Sequence, residues 1–330
     1  MRYSILDLSN VPEGRTAADA IANSVDLARH AEQWGYHRYW LAEHHNMEGI
    51  ASAATAILIG HIAGATRSIR VGAGGIMLGN HMPLAVAEQF GTLATMYPNR
   101  IDLGLGRAPG GDMNVMRAMY RPGRDDFPTD VAQLQALLGP TRPGAPLRAI
   151  PGEATEVPLW ILGSSLYGAQ FAAQQGLPYA FASHFAPDAL EDAFAVYRDR
   201  FQPSKQQATP HAMLAINVFA ADTEQEARRL RSSMQQAFAN LRSGNPGKLP
   251  APVDDIEAVL GTQMTRAIDQ ALRVTACGTR DQVRDQIAAL IEAHNPDEII
   301  LTGGIHDHTA RLRSFELAAD AVQSLTALAA

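Results

Sequence analysis

Residues 69–107, IRVGAGGIMLGNHMPLAVAEQFGTLATMYPNRIDLGLGR, decide how this chain folds. The stretch opens on a short apolar run at 69–78 and passes through Pro83 into a longer helical pattern ending at Tyr97 and Pro98. It closes on a second apolar run at 100–107. A strand, a helix and another strand in that order read as a βαβ unit, whose two strands are parallel.

The same alternation continues outward in both directions. Further strands are expected at 2–9, 37–44, 157–164, 178–185, 212–220 and 298–304. Helical stretches lie between them, such as TAADAIANSVDLARHAEQWG at 16–35, YGAQFAAQQGLP at 167–178 and TRDQVRDQIAALIEAHNP at 279–296. Strands each followed by a helix, eight in all, predict an α/β fold of the TIM (β/α)₈ barrel type rather than an open doubly wound sheet. One barrel domain is expected over 1–330, with insertions after strand four (108–156) and strand seven (221–297). Long segments of this kind in a compact barrel are expected to lie over the active site or to be disordered.

Composition narrows the chemistry. The chain is 46% hydrophobic, enough for a large core, and its formal net charge of -7 with no long basic run argues against a nucleic-acid partner. Lys205 and Lys248 are the only lysines, and both sit in connections, which disfavours Schiff-base chemistry. Cys277 stands alone, so no disulfide, CxxC pair or thiolate zinc site forms within one chain. The N-terminal apolar run is short and broken by Asp7, unlike a signal peptide, and the alanine-rich stretch at 50–65 is interrupted by His61, unlike a membrane span. A cytoplasmic protein without a membrane partner is expected.

Barrel enzymes place their chemistry at the C-terminal ends of the strands. Strand two ends in Glu43, His44 and His45, three groups that are costly to bury without partners. Adjacent strand residues face opposite ways, so His44 and His45 do not readily share one ion. The triplet His306, Asp307 and His308 has better spacing but lies in an expected loop, and no metal is expected. Strand three carries Gly72, Gly74 and Gly75, which suit either tight packing or a flat ring laid against the backbone. Strand four ends in GLGRAPGG, where Pro109 replaces the third glycine of a dinucleotide fingerprint, leaving Arg107 as a candidate anion partner. After strand five, Gly163, Ser164 and Ser165 lead into a helix starting near Tyr167, either an anion seat or an ordinary serine cap. Trp40, Tyr179 and Phe181 offer aromatic surface or core.

The segments YWLAEHHN, residues 71–110 and LGSS…GAQFAAQQGLPYAFASHF together resemble the bacterial luciferase-like flavin monooxygenase family. The resemblance implies a TIM barrel, commonly a homodimer, that binds FMN at its C-terminal mouth. Phosphate-binding positions then fall on Arg107, Ser164, Tyr167 and Gly168, flanked by Gly163 and Ser165. Gly74 and Gly75 match a place where the family often has a non-proline cis peptide under the flavin ring. His44 matches the family's catalytic histidine, with Glu43 and His45 beside it. Light-emitting members differ, carrying a cysteine where this chain has Gly106 and an acidic residue where it has Gly163. The implied reaction takes reduced FMN as co-substrate, molecular oxygen and a small organic substrate, with reduced flavin coming from a separate NAD(P)H:flavin reductase. Two other readings are a deazaflavin-dependent dehydrogenase of the same superfamily and a non-catalytic flavin-binding protein. The loop 109–130 is expected either to form a mobile lid with Met113, Met116 and Met119 facing an apolar substrate or to pack as a short helix.

Overall fold

A computed structural model describes residues 1–119, 126–141 and 143–328. Nine strands form one parallel sheet: β1 (Arg2–Asp7), β2 (Arg38–Leu41), β3 (Arg70–Met77), β4 (Ile101–Gly106), β5 (Leu159–Gly163), β6 (Tyr179–Phe181), β7 (Ala212–Ala220), β8 (Thr275–Gly278) and β9 (Glu298–Thr302). Neighbours pair from β1 to β7, β7 pairs with β9, and β9 returns to β1, closing an eight-stranded barrel. This is the TIM barrel expected from the alternation. The extra strand β8 sits outside the closure and pairs with the far half of β7, Asn217 to Ala220.

Local chemistry sets the helix boundaries. Thr16 and Asp19 form a reciprocal capping box on helix Ala17–Gln33, and Thr279 with Gln282 does the same for Arg280–His294. Pro83 occupies the first turn of helix Pro83–Met96, where its missing N–H costs nothing. The segment 221–297 is mostly ordered secondary structure, with helices Glu224–Arg242, Ile256–Leu260, Thr262–Ala271 and Arg280–His294 around β8. Its expected place as a loop over the mouth is therefore corrected: Ala227 and Leu230 pack helix Glu224–Arg242 onto Phe219 of β7, and Ala239 packs it onto Ile268 and Leu272 within the insertion.

Two cores follow from strand alternation. Outward side chains such as Ile5, Tyr39, Val71 and Leu103 meet the helices. Inward ones form a separate cluster of Leu6, Trp40, Ala42, Trp160, Ala180, Met213, Ala215 and Ile300. Below it, at the N-terminal end, Arg38 spans Asp102 at 2.7 Å and Glu298 at 3.0 Å. Arg70 also binds Asp102, Ser4 Oγ donates to Glu298, and the Trp40 indole donates to Asp102 at 3.2 Å. Burial alone would raise the Glu298 carboxyl, but the His211 hydrogen bond, the Arg38 charge and the Ser4 hydroxyl outweigh it and hold it at about 2. The barrel floor is thus a closed, charged plug.

Candidate active site

The strand β2 ends at Leu41, so Glu43, His44 and His45 occupy its exit loop rather than the strand expected to residue 44. Alternation nevertheless persists. Glu43 Oε1 accepts from Nε2 of both His45 and His81 at 2.8 Å, and its Oε2 accepts from the Met77 N–H at 3.2 Å. Burial pushes the Glu43 carboxyl up, but His81 and then His45 outweigh it and leave it below the ordinary carboxylate value. The three ligand-type atoms of Glu43, His45 and His81 lie within 4.8 Å of one another, a spacing that also suits a cation, but the hydrogen bonds already satisfy them. Sequence reading passed over His81. Its only signal is its place in GNHMP, at the exit of the strand next to β2.

His44, one residue out of phase, lies on the side of the inward residues Trp40 and Ala42, near His184 beyond β6. Burial lowers its pKa, partly opposed by the Gly110 carbonyl and the Glu43 charge. Burial also lowers His184, with a further contribution from His44, to about 4. His184 is missing from the sequence-derived set; its signal is a polar residue closing the apolar run PYAFASHF.

The second cluster lies at the exits of β4 and β5. Arg107 is exposed, and its guanidinium carbon stands 4.3 Å from the centre of the Tyr167 ring, a cation–π contact. Tyr167 in turn stacks parallel to Phe171. Helix Leu166–Gln175 starts one residue before the expected Tyr167, and its N-cap Ser165 makes no side-chain capping bond. The first-turn N–H groups and the exposed hydroxyls of Ser164 and Ser165 therefore share one surface beside Arg107. Gly168 is buried against Tyr179, where an added Cβ would come within 3.3 Å of the ring, and a Cβ added at Gly163 would lie 3.6 Å from the Gly168 Cα. Small residues here let β5 and its helix approach closely. Tyr179 and Phe181 are core residues, as is Trp40, with no aromatic surface to offer.

The Gly74–Gly75 peptide is cis. Both glycines already answer to the barrel's own packing: an added Cβ would meet Leu6 Cδ1 at 2.8 Å on Gly74 and the Gly104 carbonyl at 2.8 Å on Gly75. In the loop after β4, Gly110 adopts φ +65° and its carbonyl accepts from the His45 N–H at 2.8 Å, tying the loop to the β2 exit. Asp112 caps helix Met113–Ala118, whose Val115 is buried. Met113 is 59% exposed, while Met116 and Met119 are half-buried. The expected lid at 109–130 also includes 120–125, which lie outside the described residues. His306 and His308 bond to Glu13 and Asp26 respectively, so HDH does not converge. A surface groove of about 420 Å³ lies at the opposite, N-terminal end of the barrel, lined by residues including Tyr3, Glu32 and Arg70. Glu32 there is filled by the backbone N–H groups of Arg67, Ser68 and Ile69, so the groove lacks convergent chemistry.

A closed parallel barrel with its polar side chains gathered at the strand exits defines the class of protein. The family model for luciferase-like monooxygenases matches residues 1–294. A luciferase-like monooxygenase of Escherichia coli strain K12 is 50% identical over 326 residues, covering 98% of this chain and 97% of that one. The N-acetyl-S-alkylcysteine monooxygenase of Bacillus subtilis strain 168 is 33% identical, covering 98% of each chain. Among solved structures, apo-MsnO8 superposes with a TM-score of 0.86 at 34% identity, covering 98% of both chains. The chain belongs to the luciferase-like monooxygenase family. No helix among the described residues is long and apolar enough to cross a membrane.

Proposed function

We propose that this protein is a flavin-dependent monooxygenase that uses reduced FMN and molecular oxygen to oxygenate a small organic substrate. One observation carries the cofactor: Arg107 stands over Tyr167 beside a helix start whose N-cap side chain is unspent, with two exposed serine hydroxyls. Cationic, N–H and O–H donors converging at a helix N-terminus suit a phosphate dianion. When bound, reduced FMN supplies the reducing electrons and the oxygen chemistry.

The chain's own residues bind, orient and shield. Arg107, Ser164, Ser165 and Tyr167 hold the phosphate, while Gly163 and Gly168 keep that strand exit narrow. The backbone at Gly74 and Gly75 forms the wall behind the ring. His44, neutral at pH 7 because burial lowers its pKa, takes or returns a proton at its imidazole nitrogen. Glu43 orients His45 and, through His81, ties the exits of β2 and β3 together. Reduced flavin arrives from a separate NAD(P)H:flavin reductase, since Pro109 interrupts the only dinucleotide-like glycine pattern noted in the sequence. A single-domain barrel acting as a cytoplasmic homodimer completes the reading.

The test is an aerobic reaction of enzyme, reduced FMN, isotopically labelled oxygen and a pool of small thioethers, ketones and aromatics, read by mass spectrometry. Incorporation of one labelled atom into a product supports the reading. Turnover of an alcohol with a deazaflavin in the absence of oxygen would replace it with hydride transfer.

A further inference from the structure

On β7 the inward residues Met213 and Ala215 belong to the barrel-interior cluster, and Asn217 is the next residue on that face. It is fully buried, one layer nearer the mouth than Ala215. Its Nδ2 donates to the His184 carbonyl at 2.6 Å. A carbonyl accepts only from the amide nitrogen, so this bond fixes the carboxamide orientation and leaves Oδ1 facing away. That oxygen has no protein partner.

His184 repeats the pattern. It is 9% exposed, packs edge-on against Phe185 at 4.8 Å, and its Nδ1 also lacks a protein partner. The preceding residue is locked, because Ser183 Oγ donates to the Ala215 carbonyl at 2.6 Å and accepts from the Ala215 N–H at 3.1 Å. Buried polar atoms are nearly always hydrogen-bonded. Two neighbouring exceptions beside His44, one on the strand β7 and one in the turn after β6 that Ser183 pins to β7, mark a place prepared for a polar molecule.

We propose that His184 and Asn217 are further ligand-binding residues of the mouth, taking the hydrogen-bonding edge of a planar heterocycle that carries an N–H beside a carbonyl. His184 Nδ1–H donates to the carbonyl and Asn217 Oδ1 accepts from the N–H. The flavin ring has such an edge, so this inference rests on the FMN reading and adds ring recognition to the phosphate seat. A neutral imidazole is the form required, and burial keeps His184 neutral at physiological pH.

The experiment titrates oxidised and reduced FMN, and riboflavin, into wild type, His184→Phe, His184→Leu, His184→Asn and Arg107→Ala, and records apo melting temperatures. The two apolar variants should melt no lower than wild type, because the removed atom has no protein partner. Both should bind FMN and riboflavin about 3- to 10-fold more weakly, the range for one lost neutral hydrogen bond. The absorption bands of their bound oxidised flavin should also shift. His184→Asn, which keeps a polar atom near the Nδ1 position, should recover most of the affinity. Arg107→Ala should weaken FMN alone. Wild-type affinity in both apolar variants, or apo destabilisation in both, overturns the proposal and makes His184 a packing residue. Failure of wild type to bind either flavin would remove the FMN reading itself, and the ring assignment with it.

Discussion

The two ends of this barrel are built from the same kinds of side chain and treat them in opposite ways. At the N-terminal end, Asp102 and Glu298 are answered by Arg38, Arg70, His211, Ser4 and the Trp40 indole. No side-chain atom of those residues is buried without a partner. At the C-terminal end Asp7 is answered by Arg311 and Tyr39 and Glu43 by imidazoles, but His184, Asn217, Asn80 and Ser52 each bury an atom with no protein partner. A floor that satisfies itself gains rigidity. A mouth that leaves donors and acceptors unspent keeps them for something that enters.

The largest effect expected from disturbing this contrast is chemical. His44→Ala should fold and bind reduced FMN, since the phosphate seat lies on other strands, but product formation should fall about 10²- to 10⁴-fold. Oxygen consumption should fall less, with the difference released as hydrogen peroxide. Stopped-flow oxidation with peroxide and product quantification decides it, and an unchanged yield and rate would leave His44 a structural residue.

At the floor the effect should be on stability. Asp102→Ala takes one carboxylate partner from the buried Arg38 and from the half-buried Arg70 and should cost about 3–5 kcal/mol, the usual penalty for breaking a buried ion pair on one side. Denaturant unfolding measures it. A loss below about 1 kcal/mol would mean that the floor rearranges and that its charges are dispensable.

Next in size is the phosphate seat. Arg107→Ala should weaken FMN about 10- to 150-fold, from the loss of one charge-assisted contact, while leaving riboflavin almost unchanged. Calorimetry with equal losses for both flavins would remove the phosphate role. Tyr167→Leu removes the ring beneath that guanidinium together with its phenol and should weaken FMN by at least about two- to fivefold, the worth of an exposed cation–π contact alone.

Acid should separate the two ends. His184 titrates at about 4 in the folded chain against an ordinary 6.5, so the unfolded chain takes up that proton first. Stability falls as pH drops from about 6.5 towards 4, and the mouth softens. Glu298 titrates at about 2 against an ordinary 4.5, so its stabilisation is whole above 4.5 and is lost as pH falls towards 2. Melting temperature against pH should therefore decline in two stages, and His184→Phe should make the first one shallower without abolishing it, since burial also lowers His44, His37, His294 and His308. A single decline beginning below pH 4.5 in wild type would show that His184 has an ordinary affinity for protons.

The barrel was readable because its signal is local and repeated. An apolar run followed by an amphipathic helix needs no knowledge of distant residues, so eight of the nine strands and the strand exits carrying Glu43, His44, Arg107 and Ser164 could be found by inspection. The strand β8 could not: TACG is four residues long, only Ala276 and Gly278 are buried, and nothing marks it off from the helix that follows. His81 and His184 escaped for another reason. Each is a single polar residue at the edge of an apolar segment, and what it does depends on which neighbour the register brings beside it.

Periodicity and turn chemistry, acting over fewer than about twenty residues, were enough to determine the class of fold, the end of the barrel at which Glu43, His44 and Arg107 lie, and the placing of an arginine beside a serine-flanked helix start. Closure of the barrel decided the rest. Only when β9 pairs with both β1 and β7 do Arg38 and Glu298, 260 residues apart, become one ion pair. The same closure determines which polar atoms at the mouth are left without partners. Hydrogen-bond satisfaction is a property of the assembled interior, where each atom's partner comes from a different strand, and no single strand's sequence contains it.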